Sequence, residues 1–295
     1  MKMHEVAIIG AGPAGIAASI QLARYGLDFI LLERGESGGL LRNANLVENY
    51  PGFPQGISGP VLVQGLVEHM QSAGVMVVES EVSNLSYQAG AFHLYTQTFE
   101  VKARTLVIAS GTKPRTFSGL HIPASLKARV FYEGYPLAQA TGKHIAIIGA
   151  GDAAFDYALN LSSHNQVEIL NHSEHTRCLP LLWERASHII SITYHTNTQL
   201  QNLEEGPSGE MLLDCITPAG FMKMEADYLL GALGRDPQTD FVSPEFQPAV
   251  RDLQAQGLLY WIGDVQNGRY RQTAIAVGDG VRTAMQIYCR LKEVS

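Results

Sequence analysis

Apolar runs and helical periodicity alternate over the first 33 residues of the chain. Residues 6–9 are continuously apolar and are closed by Gly10, a pattern typical of a parallel strand buried on both faces. Apolar residues then recur at helical spacing over 13–25. A second apolar run, 29–32, ends in Glu33. Strand, glycine turn, helix and strand together predict a βαβ unit.

The same order of elements returns in the middle of the chain. Residues 145–148 are apolar and lead into a second glycine-containing turn, which a helical stretch to 161 and an apolar run at 167–170 follow. A second βαβ unit predicts a second nucleotide-binding domain. Further strands are predicted at 228–230 and 258–262, and a final amphipathic helix at 272–291.

Two Gly- and Pro-containing turns mark where the chain crosses between these domains. Gly111-Thr112-Lys113-Pro114 follows the apolar run 105–109, and Gly234-Arg235-Asp236-Pro237 follows 229–233. We therefore predict an α/β fold with two Rossmann-like dinucleotide-binding domains, the second inserted in the first. The first domain comprises 1–116 and 238–295, and the inserted domain comprises 117–237.

Composition narrows the class of protein. A length of 295 residues suits two domains at ~150 residues each, and a hydrophobic fraction of 46% excludes a disordered chain. A net charge of -7 without any run of Lys and Arg argues against nucleic-acid binding. No apolar stretch approaches the ~20 residues that span a bilayer, and the N-terminus lacks a secretory signal pattern. The sequence thus predicts a cytoplasmic protein that binds neither nucleic acid nor a membrane.

The first glycine turn is a candidate dinucleotide site. Gly10, Gly12 and Gly15 fit the G-x-G-x-x-G spacing, in which the three glycines make the tight turn, admit a pyrophosphate and let the helix pack closely. Free N–H groups at the helix start attract phosphate. Glu33, about 20 residues further on, stands where a carboxylate accepts hydrogen bonds from a ribose.

The second turn is a weaker candidate of the same kind. Gly149 and Gly151 keep the spacing, and Ala154 takes the third position, an accepted variant. The position that matches Glu33 falls near Asn171 or His172, neither of which is acidic. Two alternatives stay open here: a pyridine nucleotide site, or a fold relic that binds nothing.

Near the C-terminus, an apolar strand ends in Gly263 and Asp264, and the last helix follows. The carboxylate of Asp264 has the chemistry to accept hydrogen bonds from sugar or ribityl hydroxyls, while helix capping is the common alternative. The N-terminus of the helix favours an anionic group.

The three cysteines, Cys178, Cys215 and Cys289, lie far apart, and no C-x-x-C occurs in the chain. We expect Cys215 and Cys289 to lie in the core and leave a redox role for Cys178 open. His172, His175 and Cys178 lack the closed spacing of a metal site, so no metal is predicted.

Several motifs in one order carry a resemblance to a known family. They are Gly10-Ala-Gly-Pro-Ala-Gly15, Gly38-Gly39, Glu48-Asn49-Tyr50-Pro51-Gly52, Ala109-Ser110-Gly111, Ala232-Leu233-Gly234-Arg235-x-Pro237, and Gly263-Asp264-Val265 followed by Tyr270-Arg271-Gln272. Over nearly its whole length the chain resembles the low-molecular-weight thioredoxin reductase family of FAD- and NAD(P)-binding flavoproteins. The resemblance implies FAD in the first domain, NADPH or NADH in the inserted one, and a homodimer.

The resemblance also implies roles for individual residues. Asp264 would meet the ribityl chain, the backbone at Arg271, Gln272 and Thr273 would reach the isoalloxazine with Asn49 beside it, and Val82 would hold the adenine. The candidate FAD-binding residues are Gly10, Gly12, Pro13, Ala14, Gly15, Glu33, Arg34, Gly39, Leu41, Asn49, Val82, Ser110, Gly111, Gly263, Asp264, Arg271, Gln272 and Thr273. The candidate pyridine nucleotide-binding residues are Gly149, Gly151, Asp152, Ala154, His172 and Arg177.

The chain departs from the family where the redox chemistry of thioredoxin reductases is carried out. The redox-active C-x-x-C of the family lies just before the second glycine motif, and the corresponding stretch here, 130–137, contains no sulfur. The family's paired arginines correspond to His172 and Ser173, although Arg177 is kept, which leaves NADPH, NADH or loss of the site open. The glutamine that often follows the Gly-Gly pair is Leu40.

The family that the chain resembles has a branch without the dithiol, the thioredoxin-reductase-like ferredoxin/flavodoxin–NADP reductases. Their Gly-Asp-x-Ala-x-Asp pattern resembles residues 151–156, whereas Tyr270-Arg271-Gln272 is closer to the thioredoxin reductase branch. We therefore expect an FAD-dependent NAD(P)H oxidoreductase that passes electrons to ferredoxin or flavodoxin, a quinone or a small disulfide, with thioredoxin an unlikely substrate. No catalytic side chain is predicted, because the cofactors carry the chemistry. The alternative is an FAD-binding module with a degenerate nucleotide site, acting as a redox sensor or a partner-dependent subunit.

Overall fold

The structure is a computed structural model that describes residues 2–294. Its strands are β1 (Met3–Ile9), β2 (Phe29–Glu33), β3 (Val77–Glu79), β4 (Asn84–Gln88), β5 (Ala91–Tyr95), β6 (Glu100–Ile108), β7 (Thr112–Pro114), β8 (Val130–Phe131), β9 (His144–Ile148), β10 (Gln166–Leu170), β11 (Ile192–His195), β12 (Gln199–Glu205), β13 (Met211–Thr217), β14 (Gly220–Ala226), β15 (Tyr228–Gly231), β16 (Arg235–Pro237) and β17 (Leu259–Trp261). Its α-helices are α1 (Pro13–Arg24), α2 (Gly59–Ser72), α3 (Asp152–Leu161), α4 (Pro180–Ser187), α5 (Gln247–Ala255) and α6 (Thr273–Val294).

The chain divides into two compact units. The first contains the described residues through Arg42, Val47–Lys113 and those from Asp236 onward, and the second contains Asn43–Leu46 and Pro114–Arg235. The chain passes between the units at four points, and the strands β7 and β16, which contain two of them, pair with each other. The assignment of 1–116 and 238–295 to FAD and of 117–237 to NAD(P) stays a prediction.

The first unit is built on a 7-stranded sheet in the order β3-β2-β1-β6-β5-β4, with β17 also paired to β6. The strands β3, β2, β1, β6 and β17 run parallel, whereas β4 and β5 form an antiparallel hairpin that pairs with the first half of β6. In the parallel part, Val6, Ala7 and Ile8 are fully buried, because helices cover one face and apolar side chains of α5 and β5 cover the other.

Helices α1 and α6 pack very closely in this unit. A Cβ on Gly280 of α6 would meet the carbonyl oxygen of Ala14 and would lie 2.9 Å from the nitrogen of Ala18. The lack of a side chain at Gly280 thus allows the two helix backbones to touch, which places α6 against the first turn of α1.

The second unit holds a 5-stranded parallel sheet in the order β11-β10-β9-β15-β8. One apolar cluster contains side chains of α3 and α4, and another contains side chains of the antiparallel sheet β12-β13-β14. The α/β class with two Rossmann-like domains is confirmed. The antiparallel β12-β13-β14 sheet and the β4–β5 hairpin are additions that the glycine-turn pattern does not indicate.

One expectation about the core is wrong. Cys289 is exposed, whereas Cys215 is fully buried and Cys178 is half-buried. On α6 the neighbouring Ile287 is buried and Tyr288 stacks on Tyr25 at a ring-centroid distance of 4.1 Å. The next position lies ~100° further round the helix, which turns Cys289 away from these contacts.

Within residues 2–294, no helix combines the length and the apolar character that crossing a membrane would require.

Candidate functional site

The first glycine turn has no side chains at three positions around the start of helix α1. Gly10 has φ +101°, and a Cβ there would collide with the carbonyl oxygen of Ala109, while a Cβ on Gly15 would collide with the carbonyl oxygen of Gly10. Only glycine fits at these two positions, because the turn passes directly over Ala109 after β6 and the first turn of α1 passes directly over Gly10. The glycine spacing therefore fixes the approach of α1 to the sheet.

Gly12 differs from its neighbours because nothing stands above it. A Cβ on Gly12 would meet no atom within 4 Å, and its φ of −76° is open to any residue. Pro13 opens α1, so the first turn of that helix presents unpaired N–H groups at this point. The open space beside a helix N-terminus fits a pyrophosphate.

Glu33 at the end of β2 joins the turn to the next strand. Its carboxylate accepts hydrogen bonds from the backbone N–H of Ala11 at 2.7 Å and of Gly35 at 3.1 Å. The carboxylate is thus fixed next to the glycine turn, where oxygen atoms that are still free to accept can meet ribose hydroxyls.

A cleft in the first unit begins at this carboxylate. Gly10, Glu33, Arg34, Val82 and Ser110 are among the residues that line it. The Ser110 hydroxyl donates to the carbonyl oxygen of Gln238 at 2.6 Å, and the N–H of Gln238 donates to the carbonyl oxygen of Gly111 at 3.0 Å. The structure thus brings together five predicted FAD-binding residues from four separate segments.

Two further candidates approach the same turn. Gly39 has φ +57°, and a Cβ added to it would lie 3.2 Å from the Cα of Gly12. Leu41, two residues on, is buried. Close backbone contact between Gly39 and Gly12 explains why a glycine pair follows β2.

The C-terminal candidates cluster around the start of α6. The Asn49 amide donates to Oε1 of Gln272 at 2.7 Å, and the carbonyl oxygen of Gln272 accepts the N–H of Ala276 at 2.9 Å. The helix α6 begins at Thr273, so Gln272 stands at its N-cap position. Asn49 and Gln272, which are 223 residues apart in sequence, are neighbours in the fold.

Asp264 lies in a short helical turn, Gly263–Val265, directly after β17. Gly263 has φ +71°, and a Cβ on it would come within 2.9 Å of the Cβ of Ala14 in α1. The half-buried Asp264 is therefore held beside the first turn of α1. This proximity to the glycine turn favours the ligand interpretation of Asp264 over helix capping, since α6 begins nine residues later.

The second unit repeats the geometry of the first. Gly149 has φ +123° and passes over the carbonyl oxygen of Ala232, while a Cβ on Gly151 would meet no atom within 4 Å. Ala154 is fully buried at the third position. Asp152 in the first turn of α3 accepts the backbone N–H of Leu179 at 2.7 Å. The space above Gly151 therefore fits a second pyrophosphate.

The end of β10 is built differently from the end of β2. Asn171 is buried, and its amide donates to the Tyr194 hydroxyl at 2.8 Å and to the carbonyl oxygen of His175 at 3.1 Å. Its Oδ1 accepts from the backbone N–H and the hydroxyl of Ser173. Asn171 thus folds the following loop instead of replacing Glu33 as a ribose acceptor.

That loop returns to the glycine turn. The N–H of Arg177 donates to the carbonyl oxygen of Ala150 at 2.9 Å, so Arg177 is next to Gly151, whereas His172 is exposed at the start of the loop. Both residues stay predictions as nucleotide contacts.

In the stretch 130–137, where the resemblance would place a dithiol, polar groups of the second unit are hydrogen-bonded to one another. Glu133 accepts from Arg235 at 3.1 Å and from the Asn43 amide at 3.4 Å. The N–H of Tyr135 donates to Oδ1 of Asn43 at 2.9 Å. Tyr132 packs against Phe117 with ring centroids 5.5 Å apart.

Asp156 on α3 is a largely buried carboxylate near this stretch. Burial raises its pKa to about 6, against the opposing effect of the backbone N–H groups of Asn45 and Leu46, and nearby Asp152 adds to the rise. The N–H of Asn45 lies 2.9 Å from Oδ2. Segment 43–46 thus packs with the second unit by way of a carboxylate that resists ionisation.

The sequence analysis did not predict the buried acid Asp279. Asp279 on α6 accepts hydrogen bonds from the turn that carries Asp264, at Gly263 and Asn267. The signal was present, since Gly278-Asp279-Gly280 is an unusual tripeptide for the middle of an amphipathic helix. In the part of the chain that the structure describes, no group of three or more His, Cys, Asp or Glu side chains is arranged to hold a metal ion.

With this geometry in place, comparison with protein families gives a clear match. The profile of the family described as "Pyridine nucleotide-disulphide oxidoreductase" matches residues 4–280. The chain is 28% identical to an NADPH-dependent thioredoxin reductase 3 of Arabidopsis thaliana, over 96% of this chain and 57% of that protein, so it spans little more than half of that relative. It is 27% identical to a thioredoxin reductase of Neurospora crassa, over 96% of this chain and 92% of the other.

Solved structures agree with this match. A thioredoxin reductase of Lactococcus lactis superposes with a TM-score of 0.85 at 26% identity, covering 98% of this chain and 99% of the other. A bacillithiol disulfide reductase of Staphylococcus aureus shares the fold, with a TM-score of 0.76 at 18% identity over the whole of both chains.

The open space above Gly12 generates a prediction. Gly12→Val should fold, because the backbone conformation at this position suits any residue and a Cβ there meets no protein atom. The valine side chain should nevertheless occupy the space for the pyrophosphate, so the variant should lose most of its FAD. Gly15→Val, by contrast, should fail to fold because its side chain collides with the carbonyl oxygen of Gly10. Circular dichroism and the FAD content of purified protein check both. Full FAD occupancy in Gly12→Val would place the flavin elsewhere.

Asp156 generates a prediction about pH. Because its pKa is about 6 in the folded protein, against an ordinary value near 3.9, the folded state holds this proton more tightly than the unfolded state. Its contribution to stability is therefore greatest below about pH 4 and is lost as the pH rises through 6. Asp156→Asn removes the buried charge and should raise the free energy of unfolding at pH 7.5 by about 1–2 kcal/mol, with a smaller gain at pH 4.5.

Urea unfolding followed by Trp183 fluorescence in a Trp261→Phe background reports on the second unit. The exposed Glu184→Gln is the matched control and should change stability little at either pH. A gain in Asp156→Asn that is equal at both values, or a loss at pH 7.5, would contradict the assignment.

Proposed function

The chain belongs to the pyridine nucleotide-disulphide oxidoreductase family, and from this premise we propose that it transfers electrons from NAD(P)H through FAD to an acceptor outside the chain. Flavin dependence and the cofactor pair FAD and NAD(P)H follow from the family. The proposal adds which residues hold each cofactor, and that a dithiol of this chain takes no part.

In this proposal, residues of the first unit would hold successive parts of FAD. The bare backbone at Gly12 and the N–H groups of α1 would hold the pyrophosphate, Glu33 the adenine-side ribose, and Val82 the adenine. Asp264 would accept hydrogen bonds from the ribityl hydroxyls. The N-terminus of α6 would favour negative charge on the reduced ring. When bound, FAD accepts two electrons from the nicotinamide and releases them to the acceptor.

In the second unit, the space above Gly151 supports a pyridine nucleotide site. No carboxylate stands at the end of β10, and the side chain of Asn171 is already bonded to Ser173 and His175 in its own loop and to Tyr194 in β11. The site therefore lacks the group that selects NADH by its free ribose 2′-hydroxyl. Arg177, beside Ala150, is the cation available for a 2′-phosphate, so we propose NADPH as the preferred donor.

One observation carries the proposal about the acceptor: the positions of the three cysteines. Cys178 lies in the loop after β10, Cys215 in β13 and Cys289 in α6, and each is a free thiol. No two occupy a C-x-x-C spacing, and the stretch 130–137 has Glu133 and Tyr135 in hydrogen bonds instead of sulfur. The flavin of this chain has no dithiol in these 295 residues to which it can pass electrons.

The acceptor we propose is therefore an external one: a redox carrier protein of the ferredoxin or flavodoxin class, a quinone, or a small disulfide. The relatives named thioredoxin reductase support a partner that is itself a redox protein. Thioredoxin is not among the acceptors that we propose, because the C-x-x-C that serves thioredoxin reduction in the family that the chain resembles is missing from this sequence. A homodimer and a cytoplasmic location are further parts of the proposal.

The second candidate function is an FAD-binding module whose nucleotide site no longer works. The replacement of an acid by the internally bonded Asn171 at the strand end favours it. Such a protein would act as a redox sensor or as a subunit that draws electrons from a partner.

Anaerobic titration separates the two candidates. We expect NADPH to bleach the flavin absorbance of the purified protein stoichiometrically, and Gly151→Val to retain FAD but to require far more nucleotide, since its side chain fills the space for the pyrophosphate. If neither NADPH nor NADH bleaches the wild-type flavin, the module is the correct interpretation.

The acceptor is tested with the same protein. Ferredoxin or flavodoxin, a benzoquinone and a low-molecular-weight disulfide should each be assayed with NADPH, alongside insulin reduction through thioredoxin. We expect turnover with at least one of the first three and none above background in the thioredoxin assay. Robust insulin reduction would overturn the claim that thioredoxin is unsuitable.

Arg177 provides a test of nucleotide choice. Arg177→Gln should raise the KM for NADPH by about tenfold, by the loss of one charge-assisted hydrogen bond to the 2′-phosphate, and should leave the KM for NADH within twofold. Arg185→Gln on α4 is the matched control. An equal rise of the KM for both nucleotides would show that Arg177 does not distinguish them.

A further inference from the structure

A buried carboxylate on α6 has no role in the function proposed above. The side chain of Asp279 retains 7% of its exposure, although it lies in the middle of a helix whose opposite face is open to solvent. Burying a carboxylate is costly unless hydrogen bonds and an opposite charge compensate it. The partners of Asp279 therefore indicate what the burial achieves.

Two of these partners belong to one short turn. Oδ2 of Asp279 accepts the backbone N–H of Gly263 at 3.2 Å and the side-chain amide of Asn267 at 2.7 Å. Oδ1 accepts from the exposed Arg282 at 2.6 Å, one helical turn further along α6. A single carboxylate oxygen thus bridges the first and last residues of the segment 263–267.

The turn itself is tightly made. The carbonyl oxygen of Gly263 accepts the N–H of Gln266 at 3.1 Å and of Asn267 at 3.2 Å, and the carbonyl oxygen of Asn267 accepts the N–H of Tyr270 at 2.8 Å. Directly before the turn, the N–H of Ile262 donates to the carbonyl oxygen of Ile108 in β6 at 3.0 Å. Asp279 connects both ends of the turn to α6.

The helix that carries Asp279 is in turn fixed against α1. Gly280, its neighbour, leaves room for the carbonyl oxygen of Ala14, and Gly263 leaves room for the Ala14 side chain. The first turn of α1, the turn 263–267 and α6 thus meet around Ala14. Asp264 lies inside this junction, one residue from the N–H that Asp279 binds.

From this arrangement we propose that Asp279 is a positioning residue for flavin binding, which holds the 263–267 turn so that the Asp264 carboxylate faces the ribityl chain. The proposal rests on the proposed function in one respect, namely that FAD binds beside Asp264. Asp279 itself touches no cofactor in this account. Its effect is transmitted through Gly263 and Asn267.

The experiment compares four proteins as apoproteins titrated with FAD. In Asp279→Ala, both hydrogen bonds to the turn are lost, and the dissociation constant of FAD should rise by at least about tenfold, the value of one or two hydrogen bonds to a buried charge. Asp279→Asn keeps an acceptor oxygen and should stay within about threefold of wild type. Arg282→Gln removes only the exposed ion pair and is the matched control, with an unchanged constant.

Hydrogen exchange gives a readout that does not need FAD. In the apoprotein, the amide of Gly263 and its neighbours in the turn should exchange at least about tenfold faster in Asp279→Ala than in wild type, while amides of β1 and β6 stay protected. Asn267→Ala, combined with Asp279→Ala, should add little to the rise in the FAD constant, because both act through one network.

The outcomes separate the two claims. A wild-type protein that binds no FAD would overturn the proposed function. If the wild type and Asp279→Ala bind FAD with equal affinity, only the role of Asp279 is overturned. Additive effects of Asp279→Ala and Asn267→Ala would also overturn it. If Asp279→Ala does not fold, Asn267→Ala decides by itself, since it leaves the buried carboxylate in place, and an unchanged FAD constant and turn exchange rate would overturn the proposal.

Discussion

The function that we propose for this chain depends on two helix N-termini at which glycine leaves the backbone uncovered by any side chain. At Gly12 and at Gly151 a side chain would meet no protein atom, whereas the glycines before each of them sit directly on a neighbouring carbonyl group. The first kind of glycine keeps space for a ligand, and the second kind brings the helix close enough to the strand for its N–H groups to face that space. The rest of both sites is arranged around these two openings.

The two sites differ in how their strand ends are used. In the first unit, Glu33 is held by the N–H of Ala11 and is placed to receive a ribose. In the second, the buried side chain of Asn171 bonds to Ser173 and His175 of its own loop and to Tyr194. The two βαβ units therefore share a glycine turn but differ in the residue at the end of the second strand, which is the basis on which we propose a different ligand for each.

The strands, helices and glycine turns could be predicted from the sequence, because each depends on residues that are close together in the chain. A buried strand, a glycine turn and an amphipathic helix each leave a short-range pattern, and the glycine spacing fixed both candidate sites. Contacts between distant segments leave no such pattern. Asn49 and Gln272 are 223 residues apart, and their hydrogen bond was not predicted; the family resemblance implied only that both residues lie near the isoalloxazine. The bond from Asp279 to Gly263 was not anticipated at all. Cys289 was misplaced because helical spacing predicts a face only to within about one residue.

The most direct test of the account is a crystal structure of the protein with FAD and NADP⁺ bound. The account predicts the pyrophosphate of FAD over Gly12 at the N-terminus of α1, and that of the nucleotide over Gly151 at the N-terminus of α3. It also predicts that no cysteine lies within contact distance of the isoalloxazine. The account would be contradicted if FAD lay over Gly151, or if neither ligand lay at a glycine turn.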